Sequence, residues 1–250
     1  MIETWVVFRR ALRLSLRTPT WAAVGLVQPL FYLALFGPML ANVAENPDFP
    51  KGGSWQVYVP GLLVQLAVFG AAFVGFRVIA EARSGVLERM RVTPAPRAAL
   101  LVGRVMRDMV VFVVQAIILM AIATVFGLRA PLEGMLLATA LIALLSGAFS
   151  AASYAAGMTL GREDALAPLV NLVTMPLLLL SGILLPMTLA PGWLDTLSRL
   201  NPVRHVVDGV RALFLGQIGT ASVVWAGVVT FALAAAGIAL AMRSLMRDSP

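Results

Sequence analysis

Side chains able to carry out catalytic chemistry are scarce in this sequence and lie far apart. It has no Cys and one His, His205, which excludes a thiolate nucleophile, a disulfide and a multi-histidine zinc site. The only Lys, Lys51, lies in FPKGGSW, so the phosphate-binding loop G-x-x-x-x-G-K-[ST] is missing. We therefore expect no catalytic residue, metal or cofactor on this chain. Any ATP that drives it must be bound by another chain.

The densest group of charges is EARSGVLERMRVTPAPRAALLVGR, residues 81–104, which lies between two long apolar runs. It contains five Arg and two Glu in a chain that is only 12% charged. From Glu81 to Arg91 no residue except Gly85 opposes a helix. One face of that helix is apolar at i, i+3, i+4 spacing and comprises Val86, Leu87 and Met90.

The dipeptide Thr93-Pro94 ends this first helix, because proline disfavours helical geometry at the residue before it. The same two residues suit the N-cap and first position of a second helix. The stretch thus predicts a short helix, a break and a further helix. A surface helix with an apolar face and charges of both signs would suit the docking of a soluble partner. A solvated basic loop that only sets membrane topology accounts for the charges equally well.

The composition is that of an integral membrane protein. The chain is 60% hydrophobic with a mean hydropathy of +0.91, whereas soluble domains are about half apolar and about a quarter charged. Apolar residues occur in blocks long enough to cross about 30 Å of hydrocarbon. We predict one all-α transmembrane domain over residues 1–250 with six spans, at about 21–41, 57–80, 109–127, 134–160, 168–187 and 221–242.

Two further segments have helical patterns without being spans. Residues 2–17 carry Arg on one side and Trp5 with other apolar residues on the other, which indicates a helix in the membrane interface. An ordinary basic flank before the first span gives a similar pattern. Residues 188–220 are too polar to span, yet apolar residues recur at helical spacing on both sides of Asn201-Pro202. Two short re-entrant or interfacial external helices fit this segment best.

The basic residues favour one orientation in the membrane. With the N-terminus inside, fourteen of the nineteen Arg and Lys residues fall on the cytoplasmic side and five on the other. Both termini are then cytoplasmic, and residues 81–104 form the largest cytoplasmic loop. Membrane topology accounts for the net charge of +7, so we expect no nucleic-acid partner.

The stretch EARSGVLERMRVTPAPRAALLVGRV resembles the cytoplasmic signature of ABC-2 type permeases, the membrane subunits of ABC transporters, close to the daunorubicin-resistance branch. A second stretch, LLLLSGILLPMTLAPGWLDTLSRLNPVRHVVDGVRALFLG, resembles another part of the same pattern, and it departs at VRHVVD, where a Leu-Thr-Tyr type sequence is common. The matching residues are Glu81, Gly85, Leu87, Glu88, Arg91, Thr93, Pro94, Gly103, Arg104, Ser181, Gly182, Pro186, Trp193, Leu194, Asn201, Pro202, Asp208 and Arg211.

This resemblance implies an ATP-driven exporter in the prokaryotic plasma (inner) membrane. Two permease chains, identical or related, would pair among the membrane lipids, and two cytoplasmic ATP-binding subunits, which hold the ATP and Mg²⁺, would dock beneath them. The substrate would be an amphipathic small molecule, a drug, an antibiotic or a lipid. A coupling helix between spans two and three would pass closure of the ATPases into the membrane, with Glu88 as the first candidate to pair with a partner Arg.

Two cytoplasmic segments are the predicted docking contacts of the ATP-binding subunit. One is the coupling helix, and the other is GREDAL between spans four and five, for which a solvated turn is the alternative. The predicted docking residues are Glu81, Arg83, Gly85, Val86, Leu87, Glu88, Arg89, Met90, Arg91, Thr93, Pro94, Arg162, Glu163 and Asp164.

Spans two and five carry the predicted substrate pathway. As alternatives, buried Gln and Asn side chains more often hold helices together than bind ligands, and the prolines of span five often only kink the helix. The pathway candidates are Gln65, Phe69, Phe73, Phe76, Asn171 and Met175. The external segment offers either a gate or simple surface ion pairs at helical spacing. The gate candidates are Asn201, Pro202, Arg204, Asp208 and Arg211.

Small residues recur at every fourth position in span four, including Ser153, Gly157 and Gly161. This spacing permits close approach of helices, either for packing or for a sliding surface. A transporter driven by an ion gradient is the competing function. It would predict inverted repeats and a carboxylate at mid-membrane, whereas no persuasive repeat is present and the acidic residues lie at span ends.

Overall fold

The structure is a computed structural model that describes residues 2–17, 20–43, 53–85, 96–183, 187 and 190–247. Within these ranges the chain is helical and contains no β-strand, which confirms the all-α class. The helices are α1 (Ile2–Arg17), α2 (Thr20–Val43), α3 (Ser54–Ala72), α4 (Gly75–Arg83), α5 (Arg97–Val125), α6 (Leu132–Leu160), α7 (Glu163–Leu179), α8 (Gly192–Ser198), α9 (Pro202–Phe214) and α10 (Ala221–Arg247).

Helices α3 and α6 form the centre of the molecule. α6 packs against α3, α4, α5, α7, α9 and α10, and Leu62 and Leu63 of α3 meet Ile142 and Leu145 of α6 in a fully buried core. Glycine allows the closest of these approaches, since a Cβ on Gly134 would lie 2.1 Å from the carbonyl oxygen of Leu213. Close contact of this kind is what holds helices together where lipid is as apolar as the side chains.

The second predicted span is broken into two helices. α3 ends at Ala72 and α4 begins at Gly75, and together they form an apolar segment, Ser54–Arg83, of 30 residues. Residues on both sides of the break are part of the site described below.

Four segments of the described chain are long and apolar enough to cross a membrane: Ser54–Arg83, Ala98–Val125, Leu132–Leu160 and Ala221–Met246. They correspond to predicted spans two, three, four and six. Predicted span one coincides with α2, whose shorter apolar part runs over Ala23–Met39. Predicted span five, 168–187, overlaps α7, which has 17 residues, begins at Glu163 and ends at Leu179. The number of six spans therefore stays a prediction.

Helix α5 begins at Arg97, after Pro96, whose backbone angles at the N-cap are extended. The predicted helix start at Thr93-Pro94 lies outside the described residues. The helix continues without interruption to Val125, which places residues 97–104 on the same helix as span three.

Helix α1 has the predicted limits, Ile2–Arg17, and packs along α5. Phe8 is buried there, whereas Trp5 and Leu16 are exposed apolar side chains on the same helix. The external segment also has the predicted form, with two short helices, α8 and α9, separated at Asn201-Pro202. The placement of both segments in a membrane interface stays a prediction.

Candidate functional site

Glu81 and Arg104 join α4 to α5. The distance from Oε2 of Glu81 to Nη2 of Arg104 is 2.7 Å, and both side chains are largely shielded from solvent. α4 ends at Arg83 and α5 begins at Arg97. The ion pair therefore ties together the two helices that flank residues 84–96, which we name the cytoplasmic link after their predicted location.

Gly103 lets α1 pack on α5 beside this ion pair. A Cβ at Gly103 would lie 2.9 Å from Cγ1 of Val7 and 3.0 Å from the carbonyl oxygen of Thr4. Such distances are shorter than side chains normally tolerate, so any larger residue would push α1 away. The Gly-Arg pair of the sequence pattern thus has two separate physical roles, helix contact and ion pairing.

A buried charge network lies one turn further along α5. Asp108 is 2% exposed and accepts a hydrogen bond of 2.8 Å from the hydroxyl of Tyr154 on α6. The Nη1 atoms of Arg107 and of Arg77 on α4 lie 3.2 and 3.6 Å from its Oδ1. A buried carboxylate is tolerated when it is paired and hydrogen-bonded in this way. The network connects α4, α5 and α6.

Two of the predicted docking residues meet at the turn between α6 and α7. Nη1 of Arg83 lies 3.1 Å from Oε1 of Glu163, and both side chains are exposed. Next to them, Arg162 forms an exposed ion pair with Asp164. The hydrogen bond from Arg162 lowers the pKa of Asp164 and raises the pKa of Arg162. The structure thus joins the end of α4 to the GREDAL turn.

The remaining docking candidates are in the cytoplasmic link. Gly85 closes the turn after α4 with a φ of 71°, a left-handed angle that favours glycine. The other candidates lie outside the described residues, and their docking role stays a prediction: Val86, Leu87, Glu88, Arg89, Met90, Arg91, Thr93 and Pro94.

A cavity of about 1170 Å³ lies between α1, α2, α3, α4 and α5. Three phenylalanines follow each other along one wall. The ring centroids of Phe69 and Phe73 are 4.9 Å apart in an edge-on contact, and those of Phe73 and Phe76 are 5.7 Å apart and stacked. Gln65 adds an amide to the same wall. The predicted pathway residues of span two therefore all line one cavity.

The predicted pathway residues of span five do not join them. Asn171 and Met175 are exposed on α7 and do not line this cavity.

The charged side chains that line the cavity are balanced in sign, with four basic and four acidic residues. These side chains are Arg10, Arg77, Arg104, Arg107, Glu3, Glu81, Asp108 and Glu163. The cavity is thus an amphipathic space with an aromatic wall and a balanced charged region.

Asn201 and Pro202, two of the external gate candidates, form a rigid corner at the start of α9. Oδ1 of Asn201 accepts a hydrogen bond of 2.9 Å from the backbone N–H of Val203, which is an N-cap contact. Nδ2 of Asn201 donates to the carbonyl oxygen of Leu177 at 2.7 Å. Pro202 occupies the first helical position, where its missing N–H costs nothing.

Asp195 on α8 forms ion pairs with two arginines. Its carboxylate lies 2.8 Å from Nη2 of Arg199 and 2.6 Å from Nη2 of Arg204. The hydrogen bonds from Arg199 and Arg204 lower the pKa of Asp195. Arg204 also lies 3.5 Å from Oδ2 of Asp208, so α8 and α9 are joined mainly through Asp195, which the sequence analysis did not single out.

Arg211 forms the ion pair that its spacing from Asp208 predicts, but its side chain is buried inside the protein and not on the surface. Its Nε donates to the carbonyl oxygen of Val57 at 2.9 Å, and its Nη2 donates to that of Gly182 at 2.6 Å. Asp208 is 3.8 Å away. Burial lowers the pKa of Arg211 to about 10, so the guanidinium stays charged at neutral pH. Arg211 therefore fastens α9 to α3 and to the turn after α7.

Several central residues were not identified from the sequence. Asp108 was placed at the edge of span three, although the length of the helix from Arg97 puts it inside. The small-residue spacing at Ser153 and Gly157 predicts close approach of another helix, but nothing in the sequence marks the polar partners of Ser153 and Tyr154. A signal for Asp108 did exist, namely an Arg-Asp pair next to a long apolar run.

Comparison with known proteins identifies a family that this chain matches. The family described as "ABC-2 type transporter" matches residues 2–215, which include α1, the cavity, the cytoplasmic link and α9. The chain belongs to the ABC-2 type transporter family. It is similar to the putative transport permease ycf38 of Cyanophora paradoxa, with 25% identity over 214 residues, 85% of this chain and 74% of that protein.

Two further relatives have names that refer to drugs. The daunorubicin resistance ABC transporter permease protein DrrB1 of Streptomyces coeruleorubidus is 26% identical over 192 residues, 76% of this chain and 65% of that protein. The probable multidrug ABC transporter permease YbhR of Escherichia coli is 26% identical over 212 residues, 80% of this chain and 55% of that protein. The chain spans about half the length of the latter.

As an ABC-2 type permease, the chain is a membrane protein with several apolar helices and a subunit of a transporter. Members of this family work with a cytoplasmic ATP-binding subunit, which uses ATP and Mg²⁺ on a separate chain. The ion pairs between α4 and α5 and the adjoining cavity therefore lie in the part of the chain that the family match covers.

Proposed function

We propose that this chain is the permease subunit of an ATP-driven exporter of amphipathic small molecules. Two copies of a cytoplasmic ATP-binding subunit dock on residues 81–94 and on the turn at residues 161–166. A second permease chain, identical or related, completes the membrane part. Both termini lie in the cytoplasm, and the complex resides in the inner membrane of a prokaryote.

The observation that carries this proposal is that the cytoplasmic link and the cavity share the same two helices. Glu81 and Arg104 line the cavity and also join α4 to α5 at the ends of the link. A displacement of the link by a docked ATPase would therefore move residues of the cavity wall directly. Arg83 and Glu163 extend this connection to the second docking turn.

The lining of the cavity supports an amphipathic substrate. Phe69, Phe73 and Phe76 provide aromatic surface, and the charged residues at the other side are balanced in sign. Apolar walls with a few polar groups are typical of small-molecule sites. The names of the relatives refer to daunorubicin resistance and to multidrug transport, which favours a drug, an antibiotic or a lipid.

Co-purification from native membranes tests the ATPase partner. A tagged chain should bring down a soluble ATPase with a phosphate-binding loop, and Glu88→Arg and Leu87→Asp should abolish this. Glu133→Arg, at an exposed position at the start of α6, is the matched control and should retain the partner. Failure of the wild type to retain any such ATPase, while the permease itself stays intact, would overturn the proposal.

Stimulation of ATP hydrolysis tests the substrate class. With the purified complex, daunorubicin and phospholipid vesicles serve as separate probes of a drug and a lipid. Phe73→Ala should weaken stimulation by the effective probe, whereas Phe231→Ala, at an exposed position on α10, should not. Equal effects of the two variants would exclude the cavity as the substrate site.

One observation keeps an ion-gradient transporter as a second candidate. Asp108 is a carboxylate buried inside α5, within an apolar segment long enough to span. Its ion pairs with Arg107 and Arg77 argue against proton exchange, because protonation of Asp108 would break both ion pairs. Uptake or efflux driven by a pH gradient in vesicles without ATP, and lost in Asp108→Asn, would establish this alternative.

A further inference from the structure

The break between α3 and α4 leaves two backbone groups without partners in their own helices. In a continuous helix the N–H of Gly75 would bond to Ala71, and the C=O of Ala72 would accept from Phe76. Here the N–H of Val74 donates to the oxygen of Ala71 at 3.1 Å, and the N–H of Phe76 donates to the oxygen of Phe73 at 3.2 Å. A free N–H and a free C=O therefore remain at the break.

Ser153 of α6 provides a partner for both groups. The N–H of Gly75 donates to Oγ of Ser153 at 2.8 Å, and the hydroxyl of Ser153 donates to the oxygen of Ala72 at 2.5 Å. All three residues are buried. In a membrane span an unpaired backbone group is costly, so a neighbouring hydroxyl is an effective way to stabilise a break.

The backbones of α6 and the break are in direct contact. A Cβ on Gly75 would lie 2.4 Å from the carbonyl oxygen of Ser153, and one on Gly157 would lie 2.6 Å from that of Gly75. Only glycine fits at these two positions. The hydroxyl of Ser153 therefore reaches the break because α6 approaches it without intervening side chains.

The break separates the two functional parts of the span. On its upper side Phe69 lines the cavity, and at the break itself Phe73 does so as well. On its lower side α4 carries Arg77 and Glu81 toward the cytoplasmic link. Any change of angle at the break alters how these two parts face each other.

We propose that Ser153 is a positioning residue for transport, whose hydroxyl holds the second span in its broken form and thereby sets the position of α4 against the cavity. Closing the break would exchange the two bonds to Ser153 for two bonds within the helix. Both forms keep the backbone groups of Gly75 and Ala72 paired. The span is thus a hinge with two conformations, and the backbone groups of the break are hydrogen-bonded in both. An ATPase acting on α4 can favour one conformation over the other. This last step rests on the proposed function.

The absence of Cys from the sequence allows a direct test. Ala80→Cys places one thiol on α4 at an exposed position in the cavity lining, and Val24→Cys places one on α2 across the cavity. The rate of modification by N-ethylmaleimide is measured for each, alone and combined with Ser153→Ala. Ser146→Ala is the matched control, because Ser146 is also buried in α6 but its hydroxyl donates to the oxygen of Ala143 in its own helix.

We expect Ser153→Ala to change the modification rate of Ala80→Cys severalfold and to leave that of Val24→Cys unchanged. Ser146→Ala should change neither rate. In the complex with its ATPase, ATP with vanadate should shift the rate of Ala80→Cys in the same direction. Rates that are equal in Ser153→Ala and Ser146→Ala would overturn the proposal. The comparison without nucleotide needs no partner, so it stands even if no ATPase is found.

Hydrogen–deuterium exchange of the unaltered protein covers the case in which Ser153→Ala does not fold. Residues 72–76 should exchange faster than residues 144–150 in the centre of α6, because a hinge opens locally. Equal protection of the two segments would contradict a hinge at this position.

Discussion

Glu81 and Arg104 form an ion pair of 2.7 Å between the last turn of α4 and the first turns of α5. The two residues bracket the cytoplasmic stretch that distinguishes this sequence, and the fold brings its ends together. The pair is partly buried and faces a cavity lined by the same helices. It therefore connects the region proposed to receive the ATPase with the region proposed to receive the substrate.

Reversing one charge of this pair should destabilise the permease. Arg104→Glu replaces this partly buried ion pair with two neighbouring carboxylates that repel each other. We expect the apparent melting temperature in detergent to fall by several degrees. The double variant Glu81→Arg/Arg104→Glu should recover most of the loss. A double variant that melts as low as the single one would show that the two residues do not stabilise each other.

Adding one methyl group at Gly103 should loosen α1 from α5. The new Cβ would approach Val7 and the oxygen of Thr4 to about the limit of contact, and this should outweigh the roughly 1 kcal/mol that alanine gains over glycine in a helix. Gly227→Ala on α10 meets no atom within 4 Å and should not destabilise. Proteolysis within residues 2–17 measures the release of α1. Equal cleavage of both variants would refute the contact.

Replacing Arg211 should be more damaging than replacing an exposed arginine. Arg211→Lys cannot reach the oxygens of both Val57 and Gly182 with a planar fork, so we expect a loss on the order of 3 kcal/mol from unpaired buried carbonyls. Arg129→Lys, at an exposed position, is the control and should have no effect. Thermal unfolding in detergent compares the two. Equal melting temperatures would mean that Arg211 does not fasten α9 to α3.

Acid should weaken the contact between α8 and α9. The pKa of Asp195 is lowered in the folded protein by Arg199 and Arg204, so its stabilisation is present above its unfolded pKa of about 3.9 and is lost as pH falls through the lower folded value. Amide exchange in residues 192–198, followed from neutral pH to about pH 3, should show lower protection at the acid end after correction for intrinsic rates.

Asp195→Asn is the variant that isolates this effect. It should reduce protection of residues 192–198 already at neutral pH and should remove the additional loss in acid. Asp164→Asn removes an exposed Asp–Arg pair elsewhere in the protein, Arg162–Asp164, and should leave residues 192–198 unchanged. An acid response that persists in Asp195→Asn would assign it to another group.

The sequence by itself determined the class of structure and the limits of some helices. Long apolar runs predict membrane helices because each such helix satisfies its own backbone hydrogen bonds. The corner at Asn201-Pro202 was also predictable, since proline at the first position and an amide N-cap act locally. The limits of α1 followed from its two-sided pattern. These features depend on neighbours in sequence only.

The tertiary structure alone decided which side chains meet. A helix that is apolar on all sides, such as α3, gives no period from which to infer its neighbours. The sequence therefore did not indicate the partners in the contacts of Ser153 with the break, of Tyr154 with Asp108 and of Arg211 with Val57. They arise because glycines admit α6 to the break and because helix packing brings distant backbone groups within hydrogen-bond distance.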